Sequence, residues 1–80
     1  MNLLKVMTNL YASEISCGIQ SDWDGGVRVW LGHGASDGHR EHWFAIGEYD
    51  AMADWLDGQA RRHYPESEYA AAAPDLVAAE

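Results

Sequence analysis

The chain predicts an α+β domain in which a three-stranded antiparallel β-meander packs against one amphipathic α-helix, with a short second helix as an option at the C-terminal end. Three observations carry that reading. Between Tyr11 and Ile46 apolar residues recur with a period of two in three runs; glycine-bearing turn sequences separate those runs; and past Gly47 the period becomes that of a helix. Eighty residues fit one domain, 1–80, with 1–9 and 70–80 as candidate disordered ends.

Met1 to Tyr11 holds one lysine in a broken apolar run (Leu3, Leu4, Val6, Met7, Leu10), too short and too polar for a signal segment or a membrane span. From Tyr11 to Gln20, residues Tyr11, Ser13, Ile15, Cys17 and Ile19 alternate with Ala12, Glu14, Ser16, Gly18 and Gln20, which predicts a half-buried strand. Asp24-Gly25-Gly26 closes the next turn, because glycine supplies the positive φ that a tight hairpin demands. Val27, Val29 and Leu31 form one face of a second strand, with Arg28 and Trp30 on the other. A longer turn, Gly32 to Gly38, leads to a third strand from His39 to Ile46, with Trp43 and Ala45 on one face and His42, Phe44 and Ile46 on the other. Tyr49, Met52, Ala53, Leu56, Ala60 and Tyr64 then recur at helical spacing, Trp55 widens the apolar arc, and Pro65 ends the helix by removing a backbone donor.

Composition narrows the function. Thirteen acidic against five basic side chains give a formal charge of −8, while 48% hydrophobic residues, with four tryptophans and four tyrosines, supply a core. An acidic surface repels phosphate backbones and attracts basic partners, among them the nucleic-acid-binding grooves of other proteins. The single cysteine, Cys17, cannot form an internal disulfide, which excludes a small disulfide scaffold and points to a reducing cytoplasm.

Asp50, Asp54 and Asp57 stand at i, i+4 and i+7 and so share one stripe beside the apolar arc. Such a stripe is ordinarily a solvated helix flank, and Asp57 is placed to pair with Arg61 four residues on. Asp22, Asp24, Asp37 and Glu48 extend the negative field over both turns and the helix start, an arrangement that can imitate phosphates, and Trp55 is a candidate anchor. Replacing Asp50, Asp54 and Asp57 by asparagine is expected to leave the fold intact while removing partner binding. His33, His39, His42, His63 and Cys17 are metal-ligand types, but His39 and His42 project to opposite strand faces and no Cys-x-x-Cys pair exists, so no metal and no cofactor are expected. The glycine stretches lack the Gly-Lys-Ser/Thr ending of a phosphate loop, and no nucleophile elbow is present, so the chain is expected not to be an enzyme.

The segment Ala53-Asp54-Trp55-Leu56-Asp57-Gly58-Gln59-Ala60-Arg61 resembles a helical stretch of acidic anti-CRISPR proteins from phages and mobile elements that act on type I systems. Asn9 to Ile15 together with Trp23-Asp24-Gly25-Gly26 is similar to small proteins of phage-rich, high-GC bacterial genomes. The resemblance covers one helix and two short motifs. It implies an inhibitor, monomeric or homodimeric, that binds a host CRISPR-Cas surveillance complex in the bacterial cytoplasm and blocks target DNA recognition through a DNA-mimicking surface, without touching nucleic acid or membrane itself. The alternative is a structural or regulatory homo-oligomer of a mobile element, with the tryptophan-bearing sheet face buried between copies.

Overall fold

The computed structural model describes residues 2–21, 24–32 and 40–71. Its elements run α1 (Leu3–Ala12), β1 (Cys17–Ser21), β2 (Gly26–Leu31), β3 (Arg40–Ala45), α2 (Tyr49–His63) and α3 (Glu68–Ala71). The three strands form one antiparallel sheet in the order β1-β2-β3, with Ile19 opposite Val29 and Val29 opposite His42, as a meander requires. Helices α1 and α2 pack on each other and on one face of this sheet, α1 toward β1 and α2 toward β2. The fold is therefore α+β, with α2 in the position expected for the single amphipathic helix.

The N-terminal segment departs from the sequence reading. Of the segment 1–9, expected as a candidate disordered end, residues 3–9 instead supply most of α1, and the strand expected from Tyr11 begins only at Cys17. Asn2 starts the helix by accepting the Lys5 N–H on its side-chain oxygen at 2.9 Å. Val6 and Leu10 are fully buried, and Leu3 and Met7 pack beside them, so the apparently broken run is one helical face. The helix ends in a Schellman turn: the Ile15 N–H donates to the Leu10 carbonyl at 2.9 Å and the Glu14 N–H to the Tyr11 carbonyl at 3.0 Å. Buried Ile15 then covers Leu10 as this motif favours, whereas Tyr11 points into solvent. The alternation through Tyr11, Ser13 and Ile15 thus belongs to a helix end and its turn.

Glu14 occupies the left-handed position of that turn at φ 63°, where glycine is the usual residue because a Cβ crowds the following carbonyl. Glu14→Gly is expected to raise stability by about 0.5–1 kcal/mol, the relief of that crowding outweighing the extra freedom of the unfolded chain. Urea midpoints measure it; a lower midpoint would show that the Glu14 side chain contributes more than its backbone costs.

On the covered face of the sheet, Val27, Val29 and Leu31 meet Met52, Ala53, Leu56 and Ala60 of α2 and Val6 and Leu10 of α1 in one core. The opposite face carries Trp30 lying across Gly18, where a methyl group would overlap the indole. Arg28 sits 5.6 Å over the Trp30 ring, pairs with Glu41 at 3.2 Å and donates to the Gln20 side-chain oxygen at 2.6 Å. Gly25, at φ 84°, makes the turn into β2, and the Asp24 carboxylate accepts the Gly26 N–H at 3.3 Å.

α2 stops where Pro65 requires. The Tyr64 N–H donates to the Ala60 carbonyl at 2.8 Å, and the chain then turns into the short helix α3. The Ser67 hydroxyl accepts the Ala70 N–H at 3.1 Å, and Tyr69 is buried against the core.

Candidate protein-binding surface

α2 has opposite charges at its two ends. Asp50 lies in its first turn, and Arg61 and Arg62 in its last, each sign favoured by the partial charge of the helix terminus it occupies. Asp50 and Asp54 are exposed and make no ion pair among the described residues; Glu48, at the N-cap, is exposed and makes no side-chain capping bond. The turn at Asp24 lies at the same end of the molecule, since the Ile46 N–H donates to the Gly25 carbonyl at 2.9 Å. Four expected site residues, Asp24, Glu48, Asp50 and Asp54, are thereby brought toward one end from two separate segments. Asp22 and Asp37 lie outside the described residues, as do Trp23, His33, His39 and the chain beyond residue 71.

Asp57 does not share this role. Its carboxylate turns inward, where one oxygen accepts both the Tyr69 hydroxyl at 2.6 Å and the Arg61 Nε–H at 3.0 Å. The pairing with Arg61 matches the i, i+4 expectation, but Tyr69 makes Asp57 the point at which α3 is fastened to α2. Arg61 completes the fastening: its guanidinium lies 5.2 Å from the Tyr69 ring centre and donates to the Ala70 carbonyl at 3.3 Å. Burial, with the Asp57 carboxylate beside it, pushes the Tyr69 hydroxyl above its ordinary titration range. The expectation that three asparagines would leave the fold intact therefore fails at Asp57, and a clean test of the stripe replaces only Asp50 and Asp54.

Trp55 is half-buried. Its ring stacks on His42 at 6.0 Å and meets Phe44 edge-on at 6.3 Å. Three further apolar residues that sequence reasoning did not name as site residues are exposed: Trp43, on the opposite face of the sheet from this seam, at 54%, Ile46 at 61% and Tyr49 at 48% exposure. Their positions carried a weak signal. Ile46 and Tyr49 flank Gly47, so they fall at the ends of a strand and a helix, where a periodic pattern runs past the core it predicts.

Among the described residues no three His, Cys, Asp or Glu side chains converge on a point that would hold a metal ion. His63 instead accepts the Arg40 Nε–H on its Nε2 at 3.2 Å; loss of water, then Arg40 and Arg62, hold its pKa below the usual value. Burial pushes the Cys17 thiol up, which disfavours the thiolate needed for nucleophilic chemistry. No described helix is long and apolar enough to cross a membrane.

Fold and surface together define a small α+β domain whose acidic end is not neutralised by ion pairs among the described residues, with an aromatic seam between α2 and β3. No protein-family model, no curated protein and no solved structure matches the chain.

Proposed function

We propose that this protein is a non-enzymatic, stoichiometric inhibitor of a type I CRISPR surveillance complex, acting in the bacterial cytoplasm by presenting carboxylates to a basic DNA-binding surface. The observation that supports the reading best is the exposure of Glu48, Asp50 and Asp54 on one end of the molecule, free of ion pairs among the described residues. Carboxylates already paired within the chain would have little left to offer a partner, whereas these remain available to lysine and arginine side chains. Asp24 on the adjoining turn extends the acidic end, and Trp55 contributes the edge of its ring.

The test is a native gel in which purified protein, at a stoichiometric ratio, competes with target DNA for the surveillance complex at two salt concentrations. Inhibition is expected, and it should weaken with salt because the contact is largely electrostatic. The Asp50→Asn, Asp54→Asn double variant should lose at least about tenfold in inhibition, the effect of removing two charges from a complementary interface. Its unfolding free energy should change by no more than about 1 kcal/mol, since only the Asp50 interaction with the helix terminus is lost. Undiminished DNA binding in the presence of the protein, or full inhibition by the double variant, overturns the proposal.

A further inference from the structure

We infer that two copies of this chain join through β3, pairing edge to edge about a two-fold axis to form a six-stranded sheet. The inference does not rest on the inhibitor reading, but it draws on Glu48, Asp50 and Trp55 of the same end of the molecule, so a dimer and an inhibited complex would compete for these residues. β3 is the last strand of the sheet, so one row of its backbone N–H and C=O groups has no partner strand among the described residues. Proteins ordinarily guard such an edge with lysine, proline, a bulge or a covering helix. Here the helices sit over β1 and β2, and β3 carries Trp43 exposed on one face and His42 exposed on the other.

Charge selects a second copy as the occupant. A chain of −8 should repel itself, yet Glu41, the carboxylate on β3, is paired with Arg28. α2 runs antiparallel to β3, since Arg40 at the start of the strand meets His63 at the end of the helix. Each β3–α2 unit is therefore basic at one end (Arg40, Arg62) and acidic at the other (Glu48, Asp50). Antiparallel pairing of β3 with its copy sets the basic end of each protomer against the acidic end of the other, a self-complementary contact of the kind a two-fold interface needs.

The spacing also fits. In the joined sheet the two β2 strands, and the α2 helices upon them, stand three strand intervals apart, about 14 Å at ~4.8 Å each. Directly packed helices stand about 8–10 Å apart, so roughly one side-chain layer must fill the gap. Trp55, His42 and Phe44 from both copies lie in that gap and supply the layer.

Sedimentation equilibrium on the full chain tests this, and a concentration-dependent dimer is expected. Trp43→Lys places like charges near the axis and should yield a monomer, while Ile19→Lys, at the opposite edge of the sheet, should leave the dimer unchanged. Glu48→Lys and Arg62→Glu should each weaken the dimer by about tenfold, and the two changes together should restore it, because the swapped charges again face their opposites. Circular dichroism verifies that each variant folds, and the charge swap keeps the test decisive if Trp43→Lys does not. A monomer at every concentration, dissociation by Ile19→Lys in place of Trp43→Lys, or a double charge variant no tighter than either single one overturns the inference.

Discussion

Asp57→Ala is expected to destabilise the domain by about 2–3 kcal/mol, the cost of leaving a buried hydroxyl and a half-buried guanidinium without their shared acceptor. Tyr69 is 2% exposed, so its hydroxyl has no water to turn to, and Arg61 loses the partner that holds it over the tyrosine ring. The same latch predicts an alkaline limit. Tyr69 titrates above its ordinary value of 10.0 because burial and the Asp57 carboxylate both disfavour the phenolate. A raised pKa in the folded state means that the contribution to stability is complete below about pH 10 and is lost as pH rises beyond it, since the unfolded chain then ionises first. Urea denaturation from pH 7 to 11 should show the wild type losing stability above pH 10. Tyr69→Phe, which cannot ionise and lacks the hydrogen bond, should start about 1–2 kcal/mol lower and fall less steeply. Parallel pH profiles for the two proteins would mean that Tyr69 is not fastened to Asp57.

Leu56→Ala should have the largest effect of all, a loss of about 3 kcal/mol or more. Leu56 is fully buried on the inward face of α2, within the one core to which both helices and β2 contribute. A chain of this length has a total stability on the order of 4–12 kcal/mol, so the cavity removes a large share of it. The unfolding temperature should fall by at least about 12 °C, at roughly 4 °C or more per kcal/mol for a domain of this size. Leu4→Ala makes the contrast, because Leu4 is 75% exposed and its truncation should change stability by less than about 0.5 kcal/mol. Equal losses for the two would mean that α1 and α2 do not meet over the sheet as described.

The strands and the long helix were legible because their signals are local. Val27, Val29 and Leu31 alternate with Arg28 and Trp30 whatever the rest of the chain does, and both the buried face of β2 and the open face of Trp30 follow from that alternation. The spacing of Met52, Ala53, Leu56 and Ala60 likewise fixes the inward face of α2, and Pro65 its end. α1 was not legible for the same reason. Its turn continues the alternation of β1 through Ile15, and only the contact of Ile15 with Leu10 across a left-handed Glu14 shows that the chain has reversed there.

The candidate surface divides along the same line. By itself the sequence determined the acidity of the chain, the shared stripe of Asp50, Asp54 and Asp57, and the pairing of Asp57 with Arg61, since all of these depend on composition or on one turn of helix. Only the tertiary structure decided that Asp57 faces Tyr69 and not solvent, that the turn at Asp24 adjoins the start of α2, and that no described strand pairs with the outer edge of β3. Each of those depends on which elements become neighbours, and that is set by burying one apolar core among α1, α2 and the sheet, a requirement no single segment expresses.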